Sequence, residues 1–315
     1  MYARVARRLS EMPYRLVARA TALPAVDGLR DRRYRAALKR HHDHLPPADD
    51  AQAVAFDALS QHGVATTDFD ALAIPGAPAV IAQAQALVAD NLDAFRRAAA
   101  GGRDFLLLPT AELMRRPGIY RLGLDPRLLD FVERYLGLPV AYDGVTIQYT
   151  VADGREVATR CWHRDREDRR MVKVAVYLND VDGDGGPFEL LPIPEPAGPK
   201  RADRFLLDHD DVIALADDAG IAAPISCEGP AGTVVLADTG RFFHRGKPAT
   251  GRDRAAIFFS YFSSQPQRPF YCDRSGLTRT DVRSLVDGLS DRQRRAALWH
   301  DRLPRRWRYI RPAAV

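Results

Sequence analysis

Four short runs of apolar residues, rich in β-branched and aromatic side chains, limit what this chain can fold into. They cover residues 145–151, 171–178, 231–238 and 255–262, and segments containing glycine, proline and aspartate separate them. Runs of this length and composition are typical of β-strands, and the segments between them are typical of turns. Several short strands favour an antiparallel barrel or sandwich over a parallel α/β sheet.

Two segments before these strands predict helices that would cover the outer face of the sheet. Residues 79–99 form one long alanine-rich helical pattern. A second helix is expected to begin at Asp125, which would cap it, with Pro126 in the first turn and Gly137 at the end. The sequence therefore predicts a mainly β fold with flanking helices.

The domain organisation follows from composition and charge. Because 46% of the residues are hydrophobic, residues 51–315 are expected to form a single domain with a large core. Residues 1–50 are expected to form a basic helical N-terminal extension. Apolar residues recur in it at helical spacing, opposite several arginines: Val5, Leu9, Met12 and Leu16. This pattern favours a helix docked on the domain or a loose solvated arm, with a peripheral contact to an anionic membrane surface as the alternative.

Other classes of protein are disfavoured by what the sequence lacks. No recognition motif accompanies the basic arm, so we expect no nucleic-acid partner. Cys161, Cys227 and Cys272 are odd in number and have no Cys-x-x-Cys spacing, which argues against a disulfide framework or a zinc ribbon. No apolar run approaches the roughly 18 residues that span a bilayer. A cytoplasmic protein is expected, with a peripheral position at the inner membrane surface as the alternative.

Three His-x-Asp pairs occur, and they begin at His41, His163 and His209. The first lies in a polar, proline-ended run that is typical of the solvated end of a helix. The last lies in an acidic loop or helix N-terminus, where we expect no strand. Only His163 and its partner Asp165 have predicted strands on both sides, so we expect these two side chains to be held rigidly.

A second histidine and an arginine have matching positions. His244 lies just beyond the predicted strand 231–238, and Arg254 opens the last apolar run. Two imidazoles and one carboxylate on one face of a metal leave three coordination positions open, as a non-haem Fe(II) centre requires. A planar guanidinium suits a carboxylate group. Arg252 is the alternative to Arg254, because it would point the same way along the strand.

Four segments, in order and spacing, resemble the phytanoyl-CoA dioxygenase (PhyH-like) family of Fe(II)/2-oxoglutarate-dependent oxygenases. They are Trp-His-Arg-Asp at 162–165, Tyr-Leu-Asn-Asp at 177–180, Gly-Gly-Pro-Phe-Glu-Leu-Leu-Pro at 185–192 and Ala-Gly-Thr at 231–233. The resemblance covers residues 144–265. The sequence departs from the family at 193–196, where Ile-Pro-Glu-Pro stands in place of a frequent Gly-Ser-His, so the substrate side of this loop differs.

The resemblance implies a double-stranded β-helix, a cupin-like jelly-roll, with a catalytic Fe(II) held by His163, Asp165 and His244. It also implies that 2-oxoglutarate and O2 are co-substrates and that Arg254, or Arg252, binds the distal carboxylate of 2-oxoglutarate. Related halogenases have a small residue at the position of Asp165. The carboxylate therefore implies hydroxylation of an unactivated C–H bond in a small or conjugated metabolite, with release of succinate and CO2.

Two further residues are candidates for contacts with 2-oxoglutarate. Gln148 lies on the polar face of its strand, which lines a cavity or forms an ordinary polar outer face. Lys173 interrupts an apolar strand. It either contacts the co-substrate near the metal or extends to the surface with its ammonium in water.

Arginines are concentrated around the candidate site, and Glu167 and Asp168 could neutralise some of them. If several face the mouth of a cavity, they favour an anionic substrate with phosphate or carboxylate groups; otherwise they are solvated loop charges. The seven are Arg160, Arg164, Arg166, Arg169, Arg170, Arg241 and Arg245, of which Arg164, Arg241 and Arg245 are the candidates for substrate contact.

Three functions remain open from the sequence. The first is the hydroxylase of a small or conjugated metabolite described above. The second is a hydroxylase of a membrane-associated glycolipid or surface sugar, which only the basic N-terminal extension suggests. The third is a non-redox, cupin-like metal-binding protein or isomerase that uses the same three ligands. The sequence predicts neither the substrate nor the oligomeric state.

Overall fold

The computed structural model describes residues 16–17, 19–20, 23–104, 106–193, 206–269 and 275–305. The strands are β1 Val64–Thr67, β2 Leu106–Leu107, β3 Val140–Thr150, β4 Trp162–His163, β5 Met171–Tyr177, β6 Phe188–Leu190, β7 Leu206–Leu207, β8 Ile225–Cys227, β9 Val234–Asp238, β10 His244–Gly246 and β11 Arg254–Ser263. The helices are α1 Pro24–His41, α2 Ala53–His62, α3 Ala77–Ala100, α4 Thr110–Met114, α5 Pro117–Leu122, α6 Pro126–Leu136, α7 His209–Asp218, α8 Arg279–Leu285 and α9 Asp291–Ala297.

The strands form two antiparallel sheets. The first has the order β1-β9-β5-β11-β3-β2, and the second has the order β7-β4-β10-β6-β8. Strands β3, β5, β9 and β11 lie in the first sheet, whereas β4, β6, β8 and β10 lie in the second. The chain therefore passes back and forth between the sheets, which is the topology of a double-stranded β-helix or jelly-roll. The predicted mainly β fold with flanking helices is confirmed.

The two faces of the first sheet have different environments. Val145, Ile147 and Tyr149 of β3 belong to a large apolar cluster that the helices cover. On the opposite face, Ala175 and Tyr177 of β5 pack with residues of the second sheet. Alternate side chains of a strand point to opposite faces, so the even-numbered residues of β3 after Gly144 face the space between the sheets. That space holds the candidate site.

Both predicted helices are present at the expected positions. Helix α3 covers Ala77–Ala100. The Asp125 side chain caps α6 by accepting a hydrogen bond from the Arg127 backbone at 2.9 Å. The helix ends at Gly137, whose φ of 72° lies in the left-handed region that glycine adopts readily. These helices cover the outer face of the first sheet.

Part of the predicted N-terminal extension is described. Helix α1 buries Tyr34 and Ala37 in a small cluster with Leu138, which follows α6. The Arg169 side chain lies over the Tyr34 ring at 4.5 Å and also contacts Asp31 at 3.2 Å. Residues 1–15, which carry most of the amphipathic pattern, lie outside the described residues, so the membrane contact stays a prediction.

Two expectations about the other His-x-Asp pairs are settled by the fold. Helix α1 ends at His41, as expected. The Nε2 atom of His41 lies 2.8 Å from the Glu133 carboxylate. The expectation of no strand beside His209 is wrong, because β7 immediately precedes the helix that His209 begins. Strand β7 pairs with β4. A segment of only two apolar residues does not predict such a long-range pairing from the sequence.

Two of the three cysteines lie within the described residues. Cys161 and Cys227 are free thiols, while Cys272 lies outside the described residues. In the described part of the chain, no helix has the length and apolar character needed to cross a membrane.

Candidate metal centre and its cavity

Strand pairing brings the two predicted histidine ligands together. His163 ends β4, His244 begins β10, and these two residues are direct partners in the second sheet. Asp165 follows β4 by two residues. One potential ligand atom from each of the three residues lies within 4.8 Å of the others, and all three side chains are buried. The structure therefore brings the three residues together, although His163 and His244 lie 81 residues apart in the sequence.

Backbone carbonyls orient both imidazoles. Nδ1 of His163 lies 2.8 Å from the Cys161 carbonyl, and Nδ1 of His244 lies 3.2 Å from the Phe242 carbonyl. When Nδ1 donates its hydrogen to a carbonyl, Nε2 keeps its lone pair for a metal. The Phe188 ring stacks on the His244 ring, with 5.4 Å between centroids. These contacts fix the rotation of the His244 ring.

The environment of His244 fits a metal ligand. Burial lowers the pKa of its imidazole well below the usual value, so the ring is neutral at pH 7. Its Nε2 is buried and has no hydrogen-bond partner among the described residues. A buried nitrogen without a partner is unfavourable, and a metal ion bound by the trio would satisfy it.

Asp165 is positioned from two directions. Its backbone N–H donates to the Thr239 carbonyl at 2.8 Å. Its Oδ2 accepts from the Lys173 ammonium at 2.6 Å and lies 3.9 Å from Nε2 of His244. Lys173 thus points inward to the metal trio, and the alternative of a lysine extended to the surface is wrong. Its contact with 2-oxoglutarate stays a prediction.

The trio opens into a cavity of about 210 Å³ between the two sheets. The cavity wall includes His163, His244, Lys173, Gln148, Phe258 and Arg254. Gln148 therefore faces a cavity, as one of its two interpretations required. Thr146 lies on the same wall, and Phe258 and Ala175 supply apolar surface. The space suits a small molecule with a few polar groups.

Arg254 supplies a buried positive charge at one end of this cavity. It is the first residue of β11 and only 5% exposed. Its guanidinium donates to the Gly186 carbonyl and to the Thr150 hydroxyl, the latter at 3.4 Å. Among the described residues, no carboxylate lies within 4.0 Å of it, and burial lowers its pKa. A buried cation without an anion is costly, so the geometry favours an anionic ligand here.

Gly246 makes room for this guanidinium. It lies two residues beyond His244 on the same face of β10, and a Cβ at this position would lie 2.5 Å from Nη2 of Arg254. Only glycine fits without displacing the arginine. Sequence reasoning missed both Gly246 and the Thr150 contact, although the spacing of Gly246 from His244 along one strand face was a usable signal.

Arg252 was the alternative carboxylate-binding residue because it was expected to point the same way as Arg254 along one strand, and this premise is wrong. Strand β11 begins at Arg254, so Arg252 lies in the preceding loop and does not share a strand face with it. The Arg252 side chain is 61% exposed and pairs with Asp182 at 3.1 Å. It takes no part in the cavity wall as described.

Of the two interpretations of the arginines, the described cavity wall does not support the one in which several of them face the mouth of the cavity. Arg245 is the partner of Glu189 across β10 and β6, and alternation turns its side chain away from the side on which His244 and Gly246 lie. It donates to Glu189 and Glu156 at 2.7 and 2.5 Å. None of the seven predicted arginines lines the cavity: Arg160, Arg164, Arg166, Arg169, Arg170, Arg241 and Arg245.

The other substrate candidates lie against aromatic rings. The Arg164 guanidinium lies 5.0 Å from the centre of the Phe243 ring, and that of Arg241 lies 5.3 Å from the centre of the Phe242 ring. Among the remaining arginines, Arg160 pairs with Asp153. These interactions neutralise or shield the charges outside the cavity, which removes the argument for an anionic substrate.

No protein-family model and no curated protein matches the chain. Similar solved structures include EctD from S. alaskensis with 2-oxoglutarate and 5-hydroxyectoine, at 21% identity and a TM-score of 0.47, covering 70% of this chain and 80% of that one. AviO1 from Streptomyces viridochromogenes Tue57 is 19% identical with a TM-score of 0.45, and the match covers 68% of this chain and 96% of AviO1. HygX from Streptomyces hygroscopicus with nickel and 2-oxoglutarate bound is 16% identical with a TM-score of 0.43, and the match covers 69% of this chain and 88% of HygX.

Proposed function

We propose that this protein is an Fe(II)- and 2-oxoglutarate-dependent dioxygenase of the PhyH-like type, which hydroxylates a small or conjugated metabolite. One observation carries the proposal. The metal-binding trio and a buried guanidinium without a described carboxylate partner open into the same cavity. The trio offers two imidazole nitrogens and one carboxylate, which suit Fe(II) and leave positions for exogenous ligands.

The metal trio and the two cationic side chains of the described cavity wall have separate roles in this proposal. His163, Asp165 and His244 hold the metal, and Arg254 holds the distal carboxylate of 2-oxoglutarate. When bound, Fe(II) and 2-oxoglutarate supply the oxidation of a C–H bond by O2, with release of succinate and CO2. Lys173 fixes the Asp165 carboxylate through its 2.6 Å contact.

The surrounding wall controls orientation and access of water. Gln148 presents its amide to the cavity, and Thr150 holds the Arg254 guanidinium from the side at 3.4 Å. Phe188 and Phe258 supply apolar surface near the metal trio. Exclusion of water from the cavity protects a reactive centre and strengthens the charge interactions within the cavity. The presence of a carboxylate at Asp165 supports hydroxylation over halogenation.

The proposal is tested by succinate formation. The purified chain is supplied with Fe(II), ascorbate, 2-oxoglutarate and air, and succinate is measured with and without a panel of small metabolites. We expect slow succinate release without substrate and faster release with a suitable one. His163→Ala should abolish both rates, because it removes a metal ligand.

A matched control is available on the surface. His62 lies exposed at the end of α2, so His62→Ala should leave succinate release unchanged. If the wild type binds metal at the trio but forms no succinate with any member of the panel, the dioxygenase proposal fails. That result would favour the non-redox metal-binding protein or isomerase.

A further inference from the structure

The described part of the N-terminal extension carries a group of exposed, large apolar side chains. Among the described residues, eight such side chains are exposed, and four of them lie within residues 16–29. The other four are spread over α2, β2, β7 and α7. Single exposed apolar residues are ordinary on a protein surface, whereas several in one segment indicate a contact surface. The four are Leu16 (59% exposed), Leu23 (56%), Val26 (37%) and Leu29 (43%).

Helix α1, which begins directly after Leu23, is attached to the domain along both of its halves. Its C-terminal half packs in the small cluster beside Leu138. Nearer its start, the Gln267 amide donates to the Asp27 carboxylate at 3.3 Å, and the Arg30 guanidinium donates to the Gln267 carbonyl. Anything that binds the outer side of α1 therefore also holds the domain.

Exposed apolar and basic side chains share one side of α1. Positions 26, 29, 33 and 40 follow one another at intervals of three, four and seven residues. At 3.6 residues per turn, these intervals place the four side chains on one face of the helix. Val26 and Leu29 occupy the first half of this face, and the exposed Arg33 and Arg40 occupy the second half.

The charges of α1 are divided between its two sides. The helix has two acidic residues, Asp27 and Asp31. Both contact the domain, because Asp27 accepts from Gln267 and Asp31 lies 3.2 Å from the Arg169 guanidinium. The exposed charged residues of the helix are instead basic: Arg32, Arg33, Arg35, Lys39 and Arg40. The outer side of α1 thus combines an excess of positive charge with exposed apolar side chains.

This combination matches the surface of an anionic lipid bilayer. Apolar side chains of an interfacial helix enter the boundary between headgroups and acyl chains, while basic side chains nearby attract anionic headgroups. A second copy of this chain fits less well, because a two-fold contact places the same patch on both subunits and brings like charges together. A nucleic acid would meet the positive charges but leave the apolar side chains in water.

We propose that the outer side of α1 is a membrane-docking surface that rests on an anionic lipid bilayer. Leu23, Val26 and Leu29 enter the headgroup region, and the exposed basic residues of the helix pair with lipid phosphates. The helix lies in the plane of the interface, and the contact is peripheral and reversible. This docking is independent of the proposed dioxygenase function.

The test is co-sedimentation of the full-length protein with lipid vesicles, measured as a partition coefficient. Vesicles of phosphatidylcholine alone are compared with vesicles of phosphatidylcholine and phosphatidylglycerol in equal amounts. We expect binding to the mixed vesicles, much weaker binding to phosphatidylcholine alone, and release of the protein as the salt concentration rises, because salt screens exposed charges. Equal binding to both kinds of vesicle, or binding to neither, overturns the proposal.

One pair of variants tests the apolar contribution. Leu23→Ser combined with Leu29→Ser should lower the partition coefficient for the mixed vesicles about tenfold or more, because two side chains no longer gain from leaving water. Val54→Ser is the matched control, since Val54 is 83% exposed at the start of α2. It should bind the vesicles like the wild type. All these side chains are exposed, so thermal melting should show that each variant is folded.

A second pair tests the charges. Arg32→Gln combined with Arg33→Gln should lower the partition coefficient about 30-fold, because each basic residue near an anionic surface contributes about fivefold. Arg96→Gln combined with Arg97→Gln removes two adjacent, exposed arginines from α3 instead and should leave binding unchanged. If this control weakens binding as much as the α1 pair does, the net charge of the protein is responsible and the proposal fails.

Two further outcomes would assign the surface to something else. If Leu9→Ser abolishes vesicle binding while the α1 variants bind like the wild type, the contact lies in residues 1–15 and the proposal fails. It fails equally if the protein without vesicles sediments as a dimer that Leu29→Ser converts to a monomer, because α1 then binds a second copy. Succinate release plays no part in these measurements, so their failure leaves the dioxygenase proposal standing.

Discussion

Replacement of Arg254 by methionine separates a functional guanidinium from a structural one. The wild-type side chain is 5% exposed, and no described carboxylate lies within 4.0 Å of it. Burial of an ion costs several kcal/mol, and hydrogen bonds to Gly186 and Thr150 offset only part of that. An apolar side chain of similar length avoids the cost. Arg254→Met should therefore leave the ligand-free protein as stable as the wild type, or more stable.

The effect on 2-oxoglutarate binding should be opposite and large. Loss of a buried guanidinium–carboxylate pair weakens binding by about 2 kcal/mol or more, which raises Kd about 30-fold. A ligand present at about 100 times its Kd stabilises a protein by about 2.7 kcal/mol. For 315 residues this corresponds to a rise in Tm of about 4 °C. In Arg254→Met the same concentration should raise Tm by only about 1 °C.

The assay is thermal denaturation with Ni(II) at the metal site, which prevents turnover, with and without 2-oxoglutarate. Arg252→Met is the matched control, because it makes the same substitution two residues away at an exposed side chain paired with Asp182. It should retain the full shift. The reasoning is refuted if Arg254→Met keeps the wild-type shift, or if its ligand-free Tm falls by many degrees.

Three further outcomes follow from the structure. Gly246→Ala places a Cβ 2.5 Å from the Arg254 guanidinium, so KM for 2-oxoglutarate should rise about tenfold or more; an unchanged KM would contradict the crowding. Ni(II) alone at about 100 times its Kd should raise Tm by about 4 °C, and EDTA or His244→Ala should remove this effect; a persistent shift would place the metal elsewhere. Burial lowers the pKa of His300 to about 4. Its protonation therefore opposes folding, and the stability present above its unfolded pKa is lost as pH falls from about 6.5 towards 4. Between pH 7 and 5 the wild type should lose about 2 kcal/mol more than His300→Gln in urea unfolding, and equal losses would refute this.

The metal trio was accessible from the sequence because its residues lie near apolar runs that predict strands. His163 follows the run 145–151 and His244 follows the run 231–238, although β4 and β10, which carry the two histidines, are too short to be predicted. Arg254 was accessible for the same reason, as the first residue of a third run. In the jelly-roll β4 pairs with β10, so His163 and His244 become neighbours although they lie far apart in the sequence.

The rest of the site depended on register, which the sequence does not display. The outward orientation of Arg245 follows from its pairing with Glu189 across two strands, and its charge alone suggested a substrate contact. Asp143 enters the cavity only because β3 has one residue more than β11 at the bulge. Loop positions such as Arg252 were similarly misjudged, because the first residue of a strand is set by its partners.

The central claim is that Fe(II) and 2-oxoglutarate bind together in this cavity through the trio and Arg254. Anaerobic titration of the Fe(II)-loaded protein with 2-oxoglutarate measures this directly, because chelation of iron by the keto acid produces a visible charge-transfer absorption. We expect the absorption to saturate at one 2-oxoglutarate per chain, to be absent in His163→Ala and to require far more 2-oxoglutarate in Arg254→Met. Tight binding of Fe(II) without this absorption at saturating 2-oxoglutarate would contradict the claim.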